Sequence, residues 1–145
     1  MNVEITATPF DPWDRVREHQ SHSLGRDGKY GATTVFVGTM RDFNEGDEVR
    51  RMTLEHYPGM TERQLEGICD EALKRWDILD VLVVHRVGDV APDDTIVLVA
   101  VWASHRAAAY EASRFVIEYL KSRAPFWKKE RLEAGDRWVG TNTPG

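Results

Sequence analysis

Two rhythms of apolar and polar residues run through this chain. In TERQLEGICDEALKRW (61–76), Leu65, Ile68, Cys69, Ala72, Leu73 and Trp76 recur at alternating spacings of three and one, a single stripe along a helix. Thr61 with Gln64 fits a capping box, and Pro58-Gly59 reads as the turn before it. A second helix is predicted from Arg106 to Ser122, with Ala109, Ser113, Val116, Ile117 and Leu120 inward. It should stop at Ala124, because a residue before proline is disfavoured from helical backbone. A shorter helix fits 11–20, with Asp11 as N-cap and Pro12 at the first helical position.

The other rhythm is that of strands. Residues 32–40 (ATTVFVGTM) are rich in β-branched and aromatic types, and 3–10 begins as a short strand. Residues 49–57 alternate, with Met52, Leu54 and His56 on one face and Arg51, Thr53, Glu55 and Tyr57 on the other. Two more strands, 80–88 and 95–103, flank the turn-rich DVAPDD. Residues 21–31 and 41–48 read as loops, Trp138-Val139 as a short edge strand, and 140–145 as a frayed tail. The expectation is one domain over 1–145, an α+β fold with a mostly antiparallel sheet and its helices on one face.

Composition narrows the classes. At 145 residues, the chain can bury a core without metals or disulfides, and its one cysteine excludes an internal disulfide. The N-terminus lacks the basic start and apolar run of a signal peptide, and the longest apolar run, 96–103, is too short for a bilayer. A cytoplasmic protein with no membrane partner is expected. A net charge of −5 argues against a nucleic-acid partner, whose phosphates would dominate the affinity.

The charge is unevenly spread. YLKSRAPFWKKE (119–130) sets Lys121, Arg123, Lys128 and Lys129 around APFW, as a solvated helix end or as one wall of an anion site. Arg41 ends the strand FVGTMR, where Gly38 permits close approach; it is an anion clamp or a solvated strand end. His105 and Arg106 open the second long helix, where backbone N–H groups favour an anion, or they merely cap it. Lys121 complements the far end of that helix. The aromatic pair before Lys128 can desolvate its amine and suit it to proton transfer, and Glu130 is placed either to orient Lys128 or to face solvent. If these element ends meet, they build one cationic site. Cys69 lies on an apolar stripe and reads as a buried, inert thiol, and His19 with His22 lacks the neighbours of a metal set.

LEHYPGMTERQLEGICDEALKRW (54–76), VVHRVGDVAPDDTIVLVAVWASHRAAAYEA (83–112), YLKSRAPFWKKE, GATTVFVGTMRDFNEGDEV (31–49) and the terminal GDRWV together resemble the large, catalytic subunit family of molybdopterin synthase, over about residues 30 to 139. The resemblance implies an α/β hammerhead-type core with two main helices and an added antiparallel subdomain. It implies a sulfurtransferase of molybdenum cofactor biosynthesis that converts cyclic pyranopterin monophosphate to molybdopterin. Two sulfurs would come from the C-terminal Gly-Gly thiocarboxylate of a small ubiquitin-like subunit, within a heterotetramer built on a homodimer of large subunits. No metal or other cofactor is expected. Carried over residue by residue, Lys121 and Lys128 are catalytic, while Thr39, Met40, Arg41, His105, Arg106, Lys129 and Glu130 bind substrate. The alternative is a non-catalytic module that grips the Gly-Gly tail of a ubiquitin-like protein.

Overall fold

The computed structural model describes residues 1–25, 28–44, 47–48, 51–132 and 135–139. In chain order the elements are β1 (Asn2–Thr6), α1 (Pro12–His19), β2 (Ala32–Thr39), β3 (Phe43–Asn44), β4 (Asp47–Glu48), β5 (Arg51–His56), α2 (Met60–Arg75), β6 (Ile78–Arg86), β7 (Gly88–Val90), β8 (Thr95–Ala103), α3 (Arg106–Arg123), β9 (Phe126–Leu132) and β10 (Gly135–Trp138). The tail expected to fray, 140–145, lies outside the described residues, as does the start of the strand expected over 49–57.

The larger sheet has the order β1-β6-β8-β2, parallel between β1 and β6 and antiparallel elsewhere. Its central strands are apolar at nearly every position because both faces are covered. Val81, Val83, Val97, Val99 and Val101 pack with the stripes of α2 and α3. Leu82, Val84, Leu98, Ala100 and Trp102 face the other way, against Val16 of α1 and Phe10. The two long helices therefore share a face as expected, but α1 covers the opposite one. Asp11 caps α1 by accepting from the N–H groups of Trp13 (2.9 Å) and Asp14 (3.3 Å). This helix does not give way to a loop at once, since Gln20–Leu24 continues it as a π-helical turn.

The smaller sheet, β10-β9-β5-β7, is wholly antiparallel and is the added subdomain. Met52 and Leu54 of β5 are buried with Met40 and Val90 in a core of their own. Gly88, at φ 86°, lets the chain leave β6 and enter β7, a conformation that side chains resist. Strand β9 is unforeseen: the Lys-Lys-Glu-Arg run following Phe126-Trp127 does not look like half-buried sheet. The loop expected over 41–48 also carries a small hairpin, β3 with β4.

Helix α2 is capped two residues earlier than its sequence signature suggests. Gly59 is the N-cap, with φ 85°, and its N–H donates to Glu62 Oε1 (3.2 Å). Thr61 lies inside the helix, fully buried, and its hydroxyl accepts from Tyr57 N–H (2.9 Å) and donates to the Pro125 carbonyl (3.0 Å). That bridge fixes the chain where it passes from α3 into β9. As Pro125 requires, Ala124 is extended (φ −76°, ψ 129°), and α3 ends at Arg123.

Candidate active site

β9 turns alternate side chains to opposite faces, so Phe126, Lys128 and Glu130 point inward across from His56, Leu54 and Met52 of β5. Lys128 thus sits opposite a fully buried leucine. Burial pushes its pKa down, the Lys121 ammonium at the end of α3 pushes it further, Glu130 opposes, and Arg41 adds to the fall. Lys121, Lys128, Glu130 and Arg41 therefore share one end of the molecule. Glu130 is not solvated but buried, and accepts from Arg137 Nε of β10 at 3.0 Å.

Arg41 is held in place through its neighbour. Met40 N–H donates to the Asp94 carbonyl (3.0 Å), and the Met40 carbonyl accepts from Asp93 N–H (2.9 Å). The Met40 side chain is buried in the smaller core. The backbone groups of Met40 are thus engaged with Asp93 and Asp94 and its side chain is turned inward, so it anchors Arg41. Gly38 does allow a close approach, but the group that arrives is Val97, whose Cγ1 would lie 2.7 Å from an added Cβ.

Sequence reasoning overlooked a further residue at this end. His85, near the end of β6, is buried, and its ring stacks on Phe126 with centroids 3.8 Å apart and planes 13° from parallel. Its Nδ1 lies 2.7 Å from the Arg86 carbonyl, which can only accept, so Nδ1 carries the proton and Nε2 the lone pair. Burial lowers its pKa to about 4 against the pull of that carbonyl, with the Lys128 and His56 charges adding to the fall. The only sequence signal was a His-Arg pair closing an otherwise apolar strand.

Other expected members stand elsewhere. Strand alternation sends Lys129 to the outer face of β9, where its Nζ pairs with Asp136 (3.7 Å) and lies 5.8 Å from the Trp138 ring. Thr39 is exposed at the end of β2 and lines a groove with Phe10, Trp13 and Thr95. His105 and Arg106 are exposed at the start of α3, with His105 as N-cap. From Arg106 to Lys121 the helix spans about 22 Å, so within one copy these element ends do not all meet.

Cys69 is fully buried and its thiol is pushed up to about 12 by that burial, consistent with an inert sulfur. His19 donates from Nε2 to Asp80 (2.7 Å) and stacks on Trp102, while His22 Nδ1 contacts the Glu18 carbonyl (3.0 Å). The two histidines serve different local bonds rather than one ligand set. No helix among the described residues is long and apolar enough to cross a membrane.

The family profile described as MoaE protein matches residues 5–123. The chain belongs to the MoaE protein family. The molybdopterin synthase catalytic subunit of Ralstonia nicotianae is 57% identical over 109 residues, 75% of this chain and 62% of that protein, so the match spans less than two thirds of that relative. The subunit of the same name from Pasteurella multocida is 52% identical over 140 residues, covering 96% of this chain and 89% of the relative. Among solved structures, molybdopterin synthase from Staphylococcus aureus superposes with a TM-score of 0.83 at 34% identity, covering 94% of this chain and 96% of that one. The MoaE fold is thus shared nearly end to end, smaller sheet included.

Proposed function

We propose that this chain is the catalytic subunit of a molybdopterin synthase. It converts cyclic pyranopterin monophosphate to molybdopterin, taking two sulfurs from the C-terminal thiocarboxylate of a small ubiquitin-like partner whose Gly-Gly tail it grips. The observation that carries this reading is Lys128, inward-facing and reduced in basicity between Lys121 and Arg41, in a chain of net charge −5. An acidic protein that concentrates cations at one end is built to take up a small anion there. A lysine of lowered pKa is suited to moving a proton or steadying charge as sulfur adds to the pterin side chain. Lys121 then holds the carboxyl end of the incoming tail, and Arg41 takes the phosphate. In this reading the reaction needs no metal or other cofactor and runs in the cytoplasm.

His105 and Arg106 enter the site from a second copy. β2 is an edge of the larger sheet and carries eight residues without a charge, a surface that invites pairing. Ala32 is paired with Ala103, so the start of β2 lies next to the segment that leads into His105. Antiparallel pairing of β2 with its own copy about a two-fold axis lays that end of the second copy against Thr39 and Arg41 of the first. The cations that α3 separates within one chain then face one another across the interface.

The test is a single turnover with thiocarboxylated small subunit and cyclic pyranopterin monophosphate. Wild type forms molybdopterin, and Lys128→Ala slows it by roughly a hundredfold or more, the range for losing a proton-transfer group. Wild type that binds the partner yet yields no product would instead be a non-catalytic module for the Gly-Gly tail.

A further inference from the structure

Beside Lys128 lies a residue that this reading leaves without a task. The ring of His85 is fixed from both sides: Nδ1–H is tied to the Arg86 carbonyl, and one face is covered by Phe126. Phe126 precedes Lys128 by two residues on the same face of β9, so whatever holds the Phe126 ring also sets the direction in which the Lys128 stem leaves the strand. Across β5, His56 stands opposite Phe126 and Leu54 opposite Lys128, which closes the stem in from the other side. No hydrogen bond to His85 Nε2 is found among the described residues, and its lone pair lies near the Lys128 and His56 charges.

We propose that His85 is the positioning residue for Lys128: locked as its Nδ1–H tautomer and stacked on Phe126, it shields the Lys128 stem from water and aims the amine at the other cations. This rests on the assignment of Lys128 above, but it can fail independently of that assignment. A neutral ring is essential to the arrangement. The groups acting on Lys128 are Lys121 from α3, Arg41 beyond β2 and Glu130 from β9, the last paired with Arg137 of β10. His85 itself faces Lys128 and His56. A second fixed positive charge at 85 would push the Lys128 amine out of the cluster. Imidazole bound through Nδ1–H and stacked on a ring stays neutral and flat, which an aliphatic side chain would not reproduce.

The test follows the titration of Lys128 itself, without reference to turnover. Lysines are reductively methylated with a 13C label, the Lys128 signal is identified by its loss in Lys128→Arg, and its pH midpoint is read by NMR. In His85→Ala the cavity beside the charged stem admits water, and the midpoint moves up toward that of an ordinary lysine. In His85→Phe, which keeps a neutral stacked ring, it stays where the wild type has it. Single turnover follows the same order, with His85→Ala slowed by roughly ten- to a hundredfold through misplacement of Lys128 and His85→Phe much less affected. If His85→Ala does not fold, His85→Val provides the same comparison with a smaller cavity. An unmoved midpoint in the truncated variant overturns the proposal, and so does an equal shift in His85→Phe. Because the NMR readout needs no product, it separates failure of this role from failure of the proposed reaction.

Discussion

A buried histidine and a partly buried aspartate make the stability of this protein depend on acid in two separate windows. His85 is neutral in the fold, with a pKa of about 4 against 6.5 for the free side chain. The unfolded chain therefore takes up a proton between those values while the folded chain does not. Its contribution is fully present above about pH 6.5 and is lost as pH falls through 4, on the order of 3 kcal/mol in all. Asp80 acts lower on the scale. Burial works against its carboxylate, yet hydrogen bonds from His19, the N-terminal amine and Val81 N–H outweigh that and hold it near pKa 2. Its contribution is present above the ordinary value of 3.8 and disappears as pH falls through 2. Urea midpoints measured from pH 8 to 3 should fall first between 6.5 and 4, and His85→Phe should flatten that limb alone. An unchanged limb in His85→Phe would assign it to another group.

At the scale of elements, a single hydroxyl ties the entry of β9 to the start of α2. Thr61 satisfies both the Tyr57 N–H and the Pro125 carbonyl, so it ties the turn before α2 to the first residues of β9. Thr61→Val keeps the shape but takes the partner from two part-buried groups, at about 1 kcal/mol each. Calorimetry should show Tm lower by several degrees, and single turnover should slow as Lys128 loses its fixed base. A variant as stable as wild type would mean that water replaces the hydroxyl. The sequence displayed some elements and hid others for physical reasons. α2, α3, β2, β6 and β8 were legible because each buries a stripe or a run of apolar residues. β9 was hidden because its inward positions include Lys128 and Glu130, charges that only the folded site compensates. Thr61 looked like a cap because Ser and Thr usually are, whereas a glycine at positive φ occupies that position. The short β7 was legible only as turn, since its pairing with β5 is long-range. Of the site, the cationic element ends were legible but not which of them meet. The side-chain directions of Lys129 and Met40 were not legible, because β alternation and the second core decide them.

At the scale of the molecule, the two cationic groups stand at opposite ends of α3, and completion by a second copy has a distinctive signature. Lys128→Ala and Arg106→Ala damage different halves of the proposed site. In a mixed dimer one site carries both defects and the other carries neither. Equal amounts of the two inactive proteins, allowed to exchange subunits, should recover about a quarter of wild-type activity, since half the dimers are mixed and each has one intact site. A site built within one chain would recover none.

The length of α3 has a last consequence, for the rate law. A site that exists only while two chains are together obeys mass action in the protein itself. Far below the dissociation constant of the pair, the number of complete sites grows with the square of protein concentration, so halving the protein leaves a quarter of the turnover. A cell that makes little of this protein would lose the reaction more steeply than it loses the chain.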